Sequence, residues 1–416
     1  MHLNRYALDT KPSGIRAIAN LAAERAAAAL PVYPFHLGEP DFDTPEPIRR
    51  AAIEALAHGD THYPPNAGVT ALREGIASSL AERYGFRFDT SEITVTVGAC
   101  EALSIAFMAC LEPGDEVVVA TPSWPNYVQT PLLLGAHVRQ VPATADRGFA
   151  VDPDALFANL TARTRMVVLN APNNPRGAVL TAAELRRVLD LARDYGVWVL
   201  FDEIYHDLVF DDGWRGVLSV ARDDDPLIYV NGFSKSYAMT GWRLGYAAAK
   251  GRAATVIQRL HQALVTSVTS FAQAGAVAAL RHGEVVEAMR QTYDRRRTRV
   301  LRALERAGLD APTPAGGFYV FPRVPAPWSD GDAFARDLLQ EHGVAVVPGS
   351  VFGEHFADRF RLCFACDDAL LDEGLERLVQ AVATAGSVDE PSTDEPSPQR
   401  TPNPDTTSDR HAPEAR

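Results

Sequence analysis

Short runs of apolar residues alternate with longer segments of helical periodicity between residues 45 and 290. An apolar run without polar interruption is typical of a strand that is buried on both faces of a parallel sheet. Helices are the usual connections between such strands. The pattern therefore predicts an α/β fold in which a mostly parallel central sheet is flanked by helices. The predicted strands are Ile93–Val97, Glu116–Ala120, Met166–Leu169, Val197–Phe201, Leu227–Val230 and Leu244–Ala248.

Two segments predict helices in more detail. Thr181–Tyr195 begins with a threonine and has Glu184 three residues later, which is the pattern of a capping box. Leu260–Leu280 contains no Asp, Glu, Lys or Arg, but it does contain His261, two glutamines and four hydroxyl residues. This composition favours one buried helix over a membrane span.

The pattern changes beyond residue 300, where the strand-like pieces GGFYVFP, VAVVPGS and RFRLCFA lie between helical segments. They predict a smaller α+β domain. From about residue 386 the chain is rich in proline and acidic residues and nearly free of apolar ones, so this tail is predicted to be disordered. The predicted division is an N-terminal arm with part of the small domain (1–44), a large domain (45–295), a small C-terminal domain (296–385) and the disordered tail (386–416).

Composition excludes several functions for this chain of 416 residues with a formal net charge of -13. Because the chain is net acidic, we expect no binding to nucleic acids or anionic membranes. The N-terminus lacks the apolar stretch of a secretory signal and four cysteines are too few for a disulfide scaffold, which favours the cytoplasm. Cys363 and Cys366 have the spacing of half a zinc motif, but no second pair exists, so no metal site is expected.

Polar and aromatic residues follow five of the predicted strands. Ligands of open α/β sheets bind at the carboxyl ends of the strands, so we expect these residues to lie together. Taken singly, each has an ordinary structural explanation, such as a turn cap for Asp202, a surface aromatic for Tyr205 or a loop anchor for Trp124. In chain order they are Gly98, Ala99 and Cys100 at a helix start, Trp124 in TPSWPNY, Asn174 in NAPNNPRG, Asp202 and Tyr205 in FDEIYHDL, and Ser234 and Lys235 in GFSKSYAMTGWRLGY.

Lys235 is one of only three lysines in a chain with 40 basic residues. Its neighbours are small or apolar, so its amine is predicted to be partly buried. Lysine is rarely buried, so a buried amine at this position requires an explanation. Pyridoxal phosphate supplies one, because its chemistry needs a lysine that forms a Schiff base, an acid facing the pyridine nitrogen and an anion site for the phosphate. Asp202 provides the acid, and the helix start at Gly98 with Ser234 and Arg243 provides the anion site.

In combination, these motifs resemble those of the class I/II aminotransferases of the fold-type-I pyridoxal phosphate family. The resemblance covers about residues 31–385. It implies an enzyme that moves an amino group from an L-amino acid to a 2-oxo acid, with pyridoxal 5'-phosphate as cofactor, through an aldimine at Lys235 and a quinonoid. The segments that carry it are HLGEPDFDTP, HYPPNAGVTALREGI, ITVTVGACEAL, TPSWPNY, NAPNNPRG, FDEIYHDL, GFSKSYAMTGWRLGY, GGFYVFP, VAVVPGSVFG and RFRLCFA.

The resemblance also implies roles around the cofactor ring. Lys235 would bind the cofactor covalently and shuttle the proton between Cα and C4′. Asp202 would pair with the pyridinium nitrogen, and Tyr205 and Asn174 would hydrogen-bond the 3-oxygen of the ring. Trp124 would stack on the ring face.

Two anion sites are implied in the same way. Arg361 would clamp the α-carboxylate of the substrate by a bidentate pair, with Gly38 and Asn174 nearby. An arginine inside the strand-like FRLCFA is otherwise an awkward buried charge. Tyr63 would reach the phosphate of the neighbouring subunit, which implies a homodimer with shared sites. Within the chain, the phosphate would be held by Gly98, Ala99, Cys100, Ser234 and Arg243.

Three positions depart from the usual pattern of the family and leave the substrate open. Cys100 stands where Ser, Thr or Lys is frequent, Gly232 replaces a frequent Ser, and Arg176 stands where Thr is usual. Two other functions also stay open. One is a pyridoxal phosphate enzyme of the same fold with lyase, replacement, cyclase or oxidase chemistry. The other is a non-catalytic ligand sensor for a DNA-binding module, which the complete catalytic set and the roughly 30 residues before HLGEPDF disfavour.

Overall fold

The structure, a computed structural model, describes residues 2–144, 148–211 and 213–386. The predicted disordered tail lies outside these residues, apart from Gly386 at the end of the last helix. The helices are α1 (Arg5–Leu8), α2 (Gly14–Ala27), α3 (Glu46–Ala57), α4 (Thr70–Tyr84), α5 (Gly98–Cys110), α6 (Asn126–Leu133), α7 (Pro153–Phe157), α8 (Ala182–Tyr195), α9 (Gly251–Leu264), α10 (Ser270–Ala279), α11 (Gly283–Arg306), α12 (Gly331–His342) and α13 (Asp368–Gly386).

The larger sheet has the strand order β1-β7-β6-β5-β4-β2-β3. All neighbouring pairs are parallel except β7, which is antiparallel to both β1 and β6. The prediction of a mostly parallel sheet is therefore confirmed. Its strands are β1 (Ile93–Val97), β2 (Glu116–Thr121), β3 (His137–Pro142), β4 (Thr164–Asn170), β5 (Trp198–Asp202), β6 (Leu227–Gly232) and β7 (Leu244–Ala249).

Helices cover the larger sheet on both faces. Helices α4, α8 and α10 pack on one face, and α5, α6 and α9 pack on the other. In β4, Val167 and Leu169 belong to the first layer whereas Met166 and Val168 belong to the second, because successive side chains of a strand point to opposite faces. This two-sided burial explains why the strand sequences are uninterrupted apolar runs.

Helix α8 begins and ends as its sequence predicts. The Thr181 hydroxyl accepts a hydrogen bond from the Glu184 amide at 3.2 Å, and the Glu184 carboxylate accepts one from the Thr181 amide at 2.8 Å. Gly196 ends the helix with a φ of 65°, a left-handed conformation that favours glycine. The predicted capping box is confirmed.

A smaller antiparallel sheet has the order β8-β10-β9, with strands β8 (Tyr319–Val320), β9 (Val347–Pro348) and β10 (Phe360–Cys363). Its core also includes side chains of α2, α11, α12 and α13, together with Tyr33 and Phe35 from the N-terminal segment. The predicted boundary between residues 295 and 296 falls inside α11. The domain boundaries stay a prediction.

Two details differ from the predictions. The segment Leu260–Leu280 is not one helix, because α9 ends at Leu264 and α10 begins at Ser270. Strand β3 was not predicted, since it lies at the edge of the sheet and alternates exposed with half-buried residues instead of forming an apolar run. Among the described residues, no helix is both long and apolar enough to cross a membrane.

Candidate active site

A cavity of about 570 Å³ lies at the carboxyl ends of the parallel strands. Strand β10 of the smaller sheet contributes Arg361 to it, so both sheets form its walls. The structure thus brings together most of the residues that the sequence places in one site. The predicted residues that line the cavity are Gly38, Ala99, Cys100, Trp124, Asn174, Asp202, Tyr205, Ser234, Lys235, Arg243 and Arg361.

Lys235 lies three residues beyond β6, and its side chain is partly buried, as predicted. Its Nζ donates a hydrogen bond to the carbonyl oxygen of Gly38 at 2.7 Å. Burial lowers the pKa of the amine from 10.5 to about 8, because the charged form loses hydration. A substantial share of the amine is therefore neutral near physiological pH, which is the form that acts as a nucleophile or base.

Asp202 ends β5 and is only 2% exposed. Its carboxylate accepts hydrogen bonds from the hydroxyl of Tyr127 at 2.8 Å and from the amide of Ile204 at 2.9 Å. Burial raises the pKa of this carboxyl to about 6, although both donors oppose the shift. The carboxylate is thus held in a fixed orientation and can stabilise a positive charge in the cavity.

Tyr205 and Asn174 lie on neighbouring loops and contact residues that carry other parts of the site. The hydroxyls of Tyr205 and Tyr319 are 3.0 Å apart, and their rings meet edge to face. The amide of Asn174 donates to Oδ1 of Asn170 at 2.9 Å, which fixes the start of the loop after β4. The phenol and the side-chain amide of these two residues provide polar groups at the cavity wall.

The turn between β1 and α5 forms a cradle for an anion. Gly98 has a φ of +70°, and a Cβ atom there would lie 2.6 Å from the guanidinium of Arg243. A Cβ on Gly245 would lie 2.5 Å from the amide nitrogen of Ala99. Glycine at both positions therefore lets the backbone and Arg243 approach the helix N-terminus, where free N–H groups bind anions.

Arg361 is 1% exposed and has no carboxylate within ion-pair distance among the described residues. Its guanidinium donates to the carbonyl oxygen of His36 at 2.6 Å and to Oδ1 of Asn174 at 3.1 Å. It also lies over the ring of Tyr319, with 4.5 Å between its Cζ and the ring centroid, while its Nε has no partner. A buried cation without a counterion is costly, so this site favours a carboxylate ligand.

Two predicted residues do not line the cavity. Gly98 lies in the turn just behind Ala99. Tyr63 is 88% exposed and contributes nothing to the cavity of its own chain.

The structure also adds residues that the sequence does not single out. Tyr127 and Tyr319 hold Asp202 and Tyr205 in place. Arg16 and its neighbours on α2 form one wall of the cavity. Tyr127 stands at the end of TPSWPNY and Tyr319 lies in GGFYVFP, so both motifs were visible, but their roles depend on tertiary contacts. The wall from α2 has no comparable sequence signal.

The protein-family model described as "Aminotransferase class I and II" matches residues 31–378 of this chain. The chain belongs to this family. Among its relatives, the aspartate aminotransferase of Pyrococcus horikoshii is 35% identical over 86% of this chain and 93% of its own length. The probable aspartate/prephenate aminotransferase of Aquifex aeolicus is 38% identical over 89% and 96%. A solved structure of Thermus thermophilus aspartate aminotransferase with maleate superimposes with a TM-score of 0.87 at 36% identity, covering 91% of this chain and 99% of that one.

The chain is a pyridoxal phosphate-dependent aminotransferase. The predictions of family, fold class, cofactor and reaction are confirmed, and the relatives do not favour the alternative of another pyridoxal phosphate reaction. The residues in the cavity fit the cofactor. They comprise a lysine with a lowered pKa, an ionisable carboxylate held by two donors, and a glycine cradle beside Arg243 that a single Cβ would fill.

Proposed function

We propose that the cavity is the catalytic site of this aminotransferase and that Lys235, Asp202 and Arg361 perform its main tasks. The observation that carries the proposal is that an amine, a carboxylate and a guanidinium line the same cavity, and that the guanidinium has no counterion among the described residues. Bound there, pyridoxal phosphate supplies an electron-withdrawing ring that acidifies the Cα proton of an amino acid. The chain's own residues bind, orient and exchange protons around it.

Lys235 is the covalent attachment point and the base. Its Nζ, held at 2.7 Å from the carbonyl oxygen of Gly38, is aimed across the cavity by that hydrogen bond. Because its pKa is about 8, the amine can accept the substrate Cα proton and then release it without a large energetic penalty.

Asp202 would stabilise a positive charge on the ring nitrogen of the bound cofactor. Tyr127 and the backbone of Ile204 keep its carboxylate fixed and ionised at neutral pH, since its pKa is about 6. Tyr205 and Asn174 would donate to the ring oxygen, and Trp124 would lie against the ring. Ala99, Cys100, Ser234 and Arg243 hold the phosphate together with the turn at Gly98.

Arg361 binds the α-carboxylate of the amino acid and of the 2-oxo acid. Its guanidinium is already oriented by His36 and Asn174, so little side-chain entropy is lost on binding. Gly38 leaves room beside it, because a Cβ there would lie 2.6 Å from the hydroxyl of Tyr319.

Aspartate is the proposed amino donor. Two named relatives are aspartate or aspartate/prephenate aminotransferases. Arg16 lines the cavity from α2 and has no ion pair among the described residues, so it offers a cation for a second carboxylate. The test is transfer from aspartate to 2-oxoglutarate by purified protein, followed by product detection. Turnover with aspartate exceeding that with alanine at least tenfold would support this donor, whereas equal rates would contradict it.

Tyr63 is proposed to complete the site of a second copy, which makes the enzyme a homodimer. Its 88% exposure, and the fact that it does not line the cavity of its own chain, support a role in trans. Coexpressed Lys235→Ala and Tyr63→Ala chains would form mixed dimers in which one site has both native residues. Such dimers should bind one tightly held cofactor. A mixture that binds no better than its parents would exclude this arrangement.

The cytoplasm is the proposed location. All four cysteines are free thiols, as expected in a reducing compartment. Fractionation of the native cells should recover the activity with cytoplasmic markers, and recovery in an extracellular fraction would contradict it.

A further inference from the structure

A second, much smaller cavity lies directly behind the wall of the catalytic cavity. Its volume of about 10 Å³ is room for the centre of one water-sized sphere. It shares Tyr127 and Asn170 with the catalytic cavity and lies where β2, β4 and the turn after β4 meet. Four of its polar residues are Thr121, Ser123, Asn173 and Arg176.

Each of these four residues has a buried polar atom without a hydrogen-bond partner in the described part of the chain. The atoms are Thr121 Oγ1, Ser123 Oγ, Asn173 Oδ1 and Arg176 Nε. None of the four residues is more than 5% exposed. Buried polar groups are nearly always hydrogen-bonded, so four unsatisfied ones around one cavity indicate a missing partner.

Arg176 adds a positive charge to this cavity. Its guanidinium donates one hydrogen bond, to the carbonyl oxygen of Gly148 at 3.3 Å. Within residues 2–144, 148–211 and 213–386, no carboxylate lies within ion-pair distance of it. Burial lowers its pKa to about 9, which still leaves it positively charged at neutral pH. A lone buried cation is destabilising unless an anion accompanies it.

The size of the cavity limits the anion. An amino acid, a 2-oxo acid or a phosphate does not fit into room for one water-sized sphere. A water molecule fits and would satisfy the polar atoms, but it would leave the charge of Arg176 uncompensated. A halide compensates the charge and accepts hydrogen bonds from the guanidinium and from the two hydroxyl groups.

We propose that this cavity binds one chloride ion between Arg176 and the hydroxyls of Thr121 and Ser123. The hydroxyls rotate to donate to the ion, whereas Asn173 keeps its Nδ2 on the carbonyl oxygen of Pro122 at 3.3 Å. Arg176 stands where the family usually has threonine, so the site is a feature of this chain rather than of the common scaffold.

The ion would lie behind residues that position the catalytic cavity. Asn170, which lines both cavities, donates to the carbonyl oxygen of Asp202 at 2.9 Å and accepts from the amide of Asn174. None of the four polar residues of the small cavity is assigned a catalytic task. The expected effect is therefore on stability, and it does not depend on the function proposed above.

Crystals of the holoenzyme soaked in bromide test the site directly by anomalous scattering. We expect an anomalous peak within about 3.5 Å of Arg176 Nε, at hydrogen-bond distance from the hydroxyl groups. An ordered water in that position, or bromide only on the surface, would overturn the proposal. This measurement uses the unmodified protein and so does not depend on whether a variant folds.

Thermal unfolding of the holoenzyme in chloride and in gluconate, at equal pH and ionic strength, tests it in solution. Chloride should raise the Tm saturably by roughly 2–4 °C. Arg176→Met and Arg176→Thr should lose this chloride response, whereas Arg296→Met, which removes a buried arginine elsewhere, should keep it. An equal chloride shift in the Arg176 variants, or no shift in the unmodified protein, would contradict the proposal.

Discussion

Two buried arginines differ in how their positive charge is compensated. One lies in the cavity, and the other lies among the helices that pack around the smaller sheet. Arg296 on α11 is 5% exposed and forms ion pairs with Asp41 at 2.8 Å and Asp368 at 2.7 Å. Arg361 on β10 is 1% exposed, and its acceptors in the described part of the chain are a backbone carbonyl oxygen and a side-chain amide oxygen. The two arginines are similarly buried, but only Arg296 has carboxylate partners among the described residues, which is why we propose that Arg296 holds helices together and that Arg361 binds a ligand.

The carboxylates at the end of β5 show the same contrast within two consecutive residues. Asp202 faces the cavity, whereas the carboxylate of Glu203 accepts hydrogen bonds from the amide of Val217 at 2.6 Å and the hydroxyl of Tyr229 at 3.1 Å. Burial raises the pKa of Glu203 to about 8. Successive side chains of a strand point to opposite sides, so one carboxyl faces the cavity and its neighbour anchors the loop.

The largest effect is expected from Lys235. Replacing it with arginine keeps a positive charge but removes the ability to form an imine or to carry a proton, so turnover should fall by roughly 10⁴-fold. Lys250→Arg is the matched control, because Lys250 lies outside the cavity and pairs with Glu92 at 3.0 Å. Steady-state kinetics that show an active Lys235→Arg enzyme would refute the assignment.

Exchanging the two arginines for glutamine separates binding from stability. Arg361→Gln should lower kcat/KM by roughly 10²-fold or more, mainly through KM, while the Tm stays unchanged or rises. Arg296→Gln should lower the free energy of unfolding by roughly 1–3 kcal/mol and change kcat/KM far less.

Kinetics and thermal unfolding of both variants measure this difference. If Arg361→Gln lost stability and kept its KM while Arg296→Gln did the reverse, the contrast between the two arginines would be wrong.

The two carboxylates predict a similar but smaller difference. Asp202→Asn should lower kcat by roughly 10²-fold, because the fixed negative charge beside the ring nitrogen is lost. Glu203→Gln keeps hydrogen-bonding groups at the loop anchor and should leave kcat within about threefold. Equal losses of kcat in the two variants, measured at saturating substrate, would show that both act only on loop structure.

The smallest effect is a pH dependence of cofactor attachment. Only a neutral amine attacks the aldehyde of pyridoxal phosphate, and burial lowers the pKa of Lys235 from 10.5 to about 8. The attachment rate of the cofactor-free protein should therefore rise roughly tenfold per pH unit below pH 8 and level off above it. A rate, followed by absorbance, that keeps rising beyond pH 10 would contradict the burial of this amine.

The sequence predicts the core strands and the strand-end residues well, for a physical reason. Strands buried on both faces, such as β4 and β6, have to be apolar runs, and the residues after them meet at one sheet edge. The edge strand His137–Pro142 is missed because half-exposed positions leave no such run. The break between α9 and α10 is missed because it contains no proline or glycine.

In the site, the sequence predicts those residues whose role can be inferred from the motif in which they stand. Tyr127 and Tyr319 act by contacts with Asp202 and Tyr205, which are 75 and 114 residues away along the chain. Only tertiary structure brings such pairs together. The role of Tyr63 stays a prediction, because it concerns a second subunit.

Borohydride reduction of the holoenzyme, followed by peptide mass spectrometry, tests the central claim most directly. Reduction fixes the cofactor to the amine that carries it, and the chain offers only Lys11, Lys235 and Lys250. We expect the pyridoxyl group on the peptide that contains Lys235, at one per chain. Modification of Lys11 or Lys250, or an unmodified Lys235 in active enzyme, would contradict the assignment of this cavity as the catalytic site.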